Sequence, residues 1–209
     1  MTFQYAYLWS GGLAINLHPL GYSYSKALGI RNGQQVGYAS SVPYPYGETF
    51  SYHPGSHAML WTGSAASFVD VNPAGYLASE ALATNGTRQG GWAYNSLPVQ
   101  SQHAALWSGT ADTFVDLNPA GYNDSRITAL TGTQQVGDGW AGPMGAPGSV
   151  RHALVWSGTP ANVVDLNQYL PAGYTHAVAT GIDAAGNVVG YAYNTPATGL
   201  ATFRRKNRG

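Results

Sequence analysis

Three aspartates recur in one setting: Asp70, Asp116 and Asp165 each follow a valine and stand two residues before an asparagine. Oxygen donors so spaced suit a hard cation such as calcium, which gathers several oxygens from one loop. Calcium loops, however, supply alternating oxygens over a longer stretch with glycine at the sharp bend, whereas an apolar residue and then proline accompany Asp70 and Asp116. The repeated carboxylates are therefore read as caps of their own turns or as partners of a neighbouring strand, and no metal ligand is assigned. Three histidines, His57, His103 and His152, recur as well. Imidazoles at equivalent places suit a ring of ligands or a pH sensor. One per repeat leaves them far apart, while a metal needs its ligands within about 2 Å of one point, so a hydrogen bond between strands is the expected role.

Nucleophilic catalysis asks for a serine or threonine beside a histidine base and an orienting acid. Hydroxyl residues abound, but no "GxSxG" elbow occurs. The non-repeated acids Glu48, Glu80, Asp112, Asp124, Asp138 and Asp183 are scattered and suggest no carboxylate pair for glycoside hydrolysis. No catalytic residue, metal or cofactor is expected, and the chain is read as not an enzyme.

The elements that position these residues repeat every fifty residues or so, the mark of a repeat architecture. "YAYLWSGG" (5–12), "HAMLWTGS" (57–64), "HAALWSGT" (103–110) and "HALVWSGT" (152–159) open four units and place Trp9, Trp61, Trp107 and Trp156 at one equivalent position. Each opening leads into a copy of "FVDLNPAGY". Ser25, Ser79, Ser125 and Ala177 then follow Gly21, Gly75, Gly121 and Gly173 by four positions, which confirms the register. The units span about 5–56, 57–102, 103–151 and 152–199; a partial fifth strand falls at 200–205 and a basic tail at 206–209. One residue is added at a turn of the fourth unit and two near the end of the third.

Alternation of apolar residues over short runs predicts strands, four per unit, the last two joined by a short hairpin turn. Four antiparallel strands in a unit of this length predict an all-β fold, a β-propeller in a single domain over 1–209. Four blades that share strands from both chain ends are expected. Five blades, or an arc completed by a second chain, are the alternatives.

The units resemble the HAF extracellular repeat, a bacterial repeat family. "HAMLW", "HAALW" and "HALVW" match its opening with the phenylalanine replaced, and "ATGIDAAGNVVGYA" (179–192) is similar to its closing segment. The first unit departs from it with Tyr5 for histidine and Asn16 for aspartate, and the second has "QGG" for "VVG". The resemblance implies a secreted or cell-surface setting and carries no catalytic residue or cofactor.

Nine basic residues balance nine acidic ones in 209, so the clustered positive charge that drives nucleic-acid binding is missing. The terminal Arg204, Arg205, Lys206 and Arg208 are read as a solvated tail. No signal peptide and no apolar run long enough to span a membrane occurs, and the absence of cysteine leaves redox compartment open.

Aromatic residues carry the remaining expectation. Tyr38, Trp92, Trp140 and Tyr191 each precede an alanine near the end of a unit and lead into unequal loops, where repeat proteins place specificity. With Tyr44, Tyr46 and Tyr52 of the longest loop they form the expected ligand-binding set, because sugars stack on such rings. The Trp9 set is read as core. The function expected is a non-catalytic ligand-binding or interaction module, lectin-like in its most specific form, with a glycan, a surface protein or a second copy as partner. A structural, oligomerising repeat is the first alternative and a glycan-cleaving enzyme the second.

Overall fold

The structure is a computed structural model that describes residues 4–42, 55–95, 101–144, 146 and 148–194. The partial strand at 200–205, the basic tail and Tyr44, Tyr46 and Tyr52 lie outside them. The described chain is all β apart from three short 3-10 turns. Its strands are β1 (Tyr7–Ser10), β2 (Leu13–Asn16), β3 (Tyr24–Arg31), β4 (Gln34–Ser40), β5 (Ser56–Trp61), β6 (Val69–Asp70), β7 (Ala78–Thr84) and β8 (Gln89–Asn95). Then come β9 (Ser101–Trp107), β10 (Val115–Asp116), β11 (Asp124–Thr131), β12 (Gln134–Ala141), β13 (Val150–Trp156), β14 (Val163–Asp165), β15 (His176–Ile182) and β16 (Val188–Tyr193).

These strands form three four-stranded antiparallel sheets, β3-β4-β5-β6, β7-β8-β9-β10 and β11-β12-β13-β14, flanked by two-stranded sheets β1-β2 and β15-β16. Each whole sheet takes the last two strands of one sequence unit and the first two of the next. The unit and the sheet are thus out of phase by two strands, and among the described residues the phase leaves half a sheet at either end.

Local chemistry fixes each hairpin. Asn32 and Gly33, at φ 48° and 77°, form the two-residue turn between β3 and β4, with both residues in the left-handed region that suits a type I′ hairpin. Every β3-type strand also carries one extra residue, so the ladder shifts between Ala27 and Gly29, Ala81 and Ala83, Ile127 and Ala129, and Ala179 and Gly181. Opposite the shift stands a glycine, Gly37, Gly91, Gly137 or Gly190, whose absent Cβ would lie 1.9 to 2.0 Å from the facing carbonyl oxygen. That close approach is the physical reason for the recurring "VG" or "GG" pair.

The sheets stack in chain order. Ala6 and Leu17 of the first half-sheet pack on Met59 and Trp61. Val36, Leu60 and Val71 pack on Ala93, Ala105 and Trp107 of the next sheet. Ala104, Leu106 and Leu117 pack on Ile127, Leu154 and Trp156, and Val136 and Ala153 pack on Ala177 and Ala179 of the last half-sheet. Trp61, Trp107 and Trp156 each fill the gap to the preceding sheet.

One alignment inferred from sequence is corrected by the ladder. Tyr38 pairs with Ala58 and Trp92 with Ala104, but the residue opposite Ala153 is Asp138, while Trp140 lies two residues further on, opposite Arg151. The third unit therefore has no two-residue insertion near its end. "GDGW" replaces "GYAS", and Trp140 is equivalent to Ser40 and Tyr94. An alanine after the ring misled the alignment; the bulge glycine Gly137 is the fixed point.

Candidate functional site

The repeated acids and histidines meet at the outer strands. Asp116 Oδ2 lies 2.7 Å from His103 Nδ1 and accepts a 3.3 Å hydrogen bond from the Tyr76 hydroxyl, which reaches it from the preceding turn. Its other oxygen accepts from the Asn118 N–H at 2.8 Å. Asn118 Oδ1 accepts from Ser125 Oγ, whose oxygen accepts the Ala104 N–H. The second unit repeats this with His57, Asp70, Tyr22, Asn72, Ser79 and Ala58, and the fourth has His152, Asp165 and Tyr122. There Ala177 has no hydroxyl, and Asn167 Oδ1 takes the Ala153 N–H directly at 3.0 Å.

The first unit reaches the same end with other atoms. His18 replaces the asparagine: its Nδ1 lies 2.8 Å from Ser25 Oγ and its Nε2 3.1 Å from the Tyr22 carbonyl. An imidazole so placed copies the amide, one nitrogen accepting and the other donating. Burial pushes the His18 pKa down, only partly opposed by the Tyr22 carbonyl, which keeps the ring neutral for that role. Tyr5 stacks on it at 3.9 Å.

Ser101 Oγ lies 2.9 Å from His103 Nε2, which completes a serine, histidine and aspartate chain. Ser101 is buried, and the same dyad occurs at His57 and His152, where the hydrogen bonds described hold only tyrosine and backbone partners. A dyad used three times, once with a serine, is a strand tie first.

These ties make an acid-sensitive fold. Burial raises the pKa of Asp70 and Asp116, but the histidine hydrogen bond and the backbone N–H of Asn72 or Asn118 outweigh it and hold both carboxyls below their ordinary value. A carboxyl with a depressed folded pKa contributes stability that is complete above its unfolded value near about 4 and is lost as pH falls through the folded value. Thermal melts are expected to drop below about pH 4, with a shallower pH slope in Asp116→Asn. An unchanged slope in that variant would remove the carboxylate from the account. Tyr22 and Tyr76 are pushed up to about 12, first by burial and then by the adjacent carboxylate, so both donate as neutral phenols.

The expected ligand-binding rings do not form one site. Tyr38 and Trp92 are buried, Tyr38 edge-on to Tyr24 at 6.1 Å and Trp92 in a small cluster with Ala78 and Tyr94. Trp140 is partly exposed beneath the Arg151 guanidinium, 5.5 Å from its ring centre. Tyr191 alone among the described four is open, at 54% exposure. It continues a stack of His176 on Tyr193 and Tyr193 on Tyr191, with centroids 4.9 and 6.2 Å apart.

Two features were missed in the sequence. Asp138, 1% exposed, receives Arg126 Nε at 3.0 Å on one oxygen and Arg151 Nε at 2.8 Å on the other. Burial works against the Arg151 charge, but the bond to Asp138 prevails and raises its pKa. Alignment on Gly137 would have revealed the acid. The second is the pair of edges left unpaired among the described residues, β16 with Val189 and Tyr191, and β1 with Tyr7 and Trp9, all exposed. Apolar grooves border both, one lined by Ala153, Leu166, Leu170 and Val188 and the other by Trp9, Leu28, Ile30 and Gln35.

No family model matches the chain, and no curated protein matches it. The likeness to the HAF repeat rests on the quoted motifs.

Proposed function

We propose that the chain is a non-catalytic interaction module, built as part of a β-propeller of HAF-type repeats, that binds through the open edges of its two terminal half-sheets. The observation that carries this reading is the pair of unpaired edges. Among the described residues, β1 and β16 each lack the neighbour that the corresponding strands β5, β9, β13 and β4, β8, β12 possess. A bare edge presents free backbone donors and acceptors, and exposed apolar rings beside it supply the side-chain anchors for an added strand. A secreted or surface setting fits the resemblance.

A second reading, glycan binding, is favoured by one observation, the exposed face of Tyr191 at the end of its three-ring stack. Aromatic faces of this kind bind the apolar side of a sugar. Titration with simple sugars, followed by intrinsic fluorescence and repeated with Tyr191→Ala, separates the two readings. Enzymatic glycan cleavage is the weakest reading. Both Asp138 oxygens are engaged by arginines, and Asp183 binds within its own turn.

Hydrogen exchange on the dilute chain tests the main reading. Outer-edge amides of β1 and β16 are expected to exchange far faster than those of β12, which is paired on both sides. Equal protection at all three strands in a monomer would refute open edges.

A further inference from the structure

We infer that the edge of β16, unpaired among the described residues, takes β1 of a second copy of this chain, head to tail, to complete a four-stranded hybrid sheet β15-β16-β1-β2. The inference rests on the open-edge reading above and adds the identity and register of the partner. β1 and β2 are this chain's own version of the third and fourth strands of every whole sheet, and β15 and β16 are its version of the first and second. The known pairings Val36 with Leu60, Tyr38 with Ala58 and Ala39 with His57 transfer to Val189 with Leu8, Tyr191 with Ala6 and Ala192 with Tyr5.

Each exposed ring then enters a place prepared for it. Trp107 packs on Val36, Ala58, Leu60 and Val71 of the preceding sheet. The equivalent residues Val136, Ala153, Val155 and Leu166 lie beside β16, and Ala153 and Leu166 line the groove there. That groove is the slot for Trp9 of the second copy, which stands 75% exposed. In return Tyr191 occupies the position at which Tyr38 is buried. Tyr174, half exposed, stands where Tyr22, Tyr76 and Tyr122 reach the acid of the following sheet. In the hybrid it faces Asn16 of the partner.

Departures at opposite ends of the chain also match one another. In each whole sheet a glutamine carbonyl, on Gln35, Gln89 or Gln135, accepts the N–H of Gly63, Gly109 or Gly158 in the turn beside it. The equivalent of that glutamine in β16 is Val188, which cannot accept. The turn it would meet is the Gly11 and Gly12 hairpin, whose Ser10 and Leu13 pair directly, two residues shorter than the others. A lost acceptor at residue 188 and a tightened turn at residues 11 and 12 are complementary only if both belong to one sheet. Two strands held in separate sheets of the same chain meet that condition between copies.

The chain has no cysteine, so introduced thiols report cleanly. Cross-strand Cβ atoms about 5 Å apart are close enough for a disulfide after slight adjustment. Tyr5→Cys and Ala192→Cys are made as separate proteins, checked for unchanged circular dichroism, mixed and oxidised. The expected product is a covalent pair of one of each, formed faster than either variant self-links. Light scattering on the unmodified chain is expected to show mass rising from one copy as concentration increases, and Trp9→Ala to weaken that association roughly thirtyfold or more. A chain that stays monomeric with β1 and β16 amides exchanging freely, and no mixed disulfide, overturns the second copy while leaving the edges open to another partner. Protected edges in a monomer, with or without an internal disulfide in the doubly substituted chain, overturn both the inference and the open-edge reading.

Discussion

Alanine at Gly137 is expected to lower the unfolding free energy by about 3 kcal/mol and the melting temperature by roughly 10 °C, measured by urea titration and thermal melting. The added Cβ would sit 1.9 Å from the Arg126 carbonyl oxygen, 2.9 Å from its carbon and 3.1 Å from Ile127 Cα. All three are backbone atoms of β11, so no rotamer relieves the clash and β11 and β12 must separate where the bulge already shifts their ladder. Gly190→Ala meets the Val178 oxygen at 2.0 Å but is expected to cost less in the isolated chain. Among the described residues its strand has no neighbour on the far side, so it can yield outward. Wild-type stability in Gly137→Ala would show that the strands do not approach as described.

Trp107→Ala is expected to destabilise the protein by about 4 kcal/mol, whereas Trp9→Ala is expected to change the monomer's stability by less than about 0.5 kcal/mol. The four tryptophans hold one sequence position, yet Trp107 is 0% exposed and Trp9 75%. Removal of Trp107 opens a void between two sheets lined by Val36, Leu60 and Val71, which their own ladders prevent from collapsing. Trp9 fills no comparable gap among the described residues. Trp107→Phe is expected to be milder than alanine, since the indole N–H of Trp107 has no hydrogen-bond partner among the described residues and phenylalanine does not bury an unpaired donor. Denaturant titrations of the three variants decide the order. A large loss in Trp9→Ala at high dilution would mean that Trp9 packs within its own chain.

Several residues disclose their roles in the sequence alone. Alternation gave the strands because a pleated backbone turns successive side chains to opposite faces, and the Asn32-Gly33 pair marked a hairpin because its turn needs two left-handed residues. The Trp9 set was read as core, which holds for Trp61, Trp107 and Trp156 but not for Trp9. The difference is one of neighbours, since only those three have a complete sheet around them. Tyr38 and Trp92 looked like surface rings because loops follow them. Side-chain direction, not sequence distance to a loop, decides burial, and both rings point between sheets.

The four copies by themselves determined an all-β repeat, the strand periods and the residues that turn the chain, because each follows from short-range stereochemistry that every unit must satisfy alone. The tertiary structure decided the rest: that sheets straddle the units, that Asp138 and not Trp140 faces Ala153, that histidine, aspartate and tyrosine from two turns converge, and that, among the described residues, the first and last sheets have two strands each. These depend on which strands pair across units. Pairing is settled by long-range packing and ladder register, which a repeated sequence leaves degenerate, since every copy offers the same edge to every other.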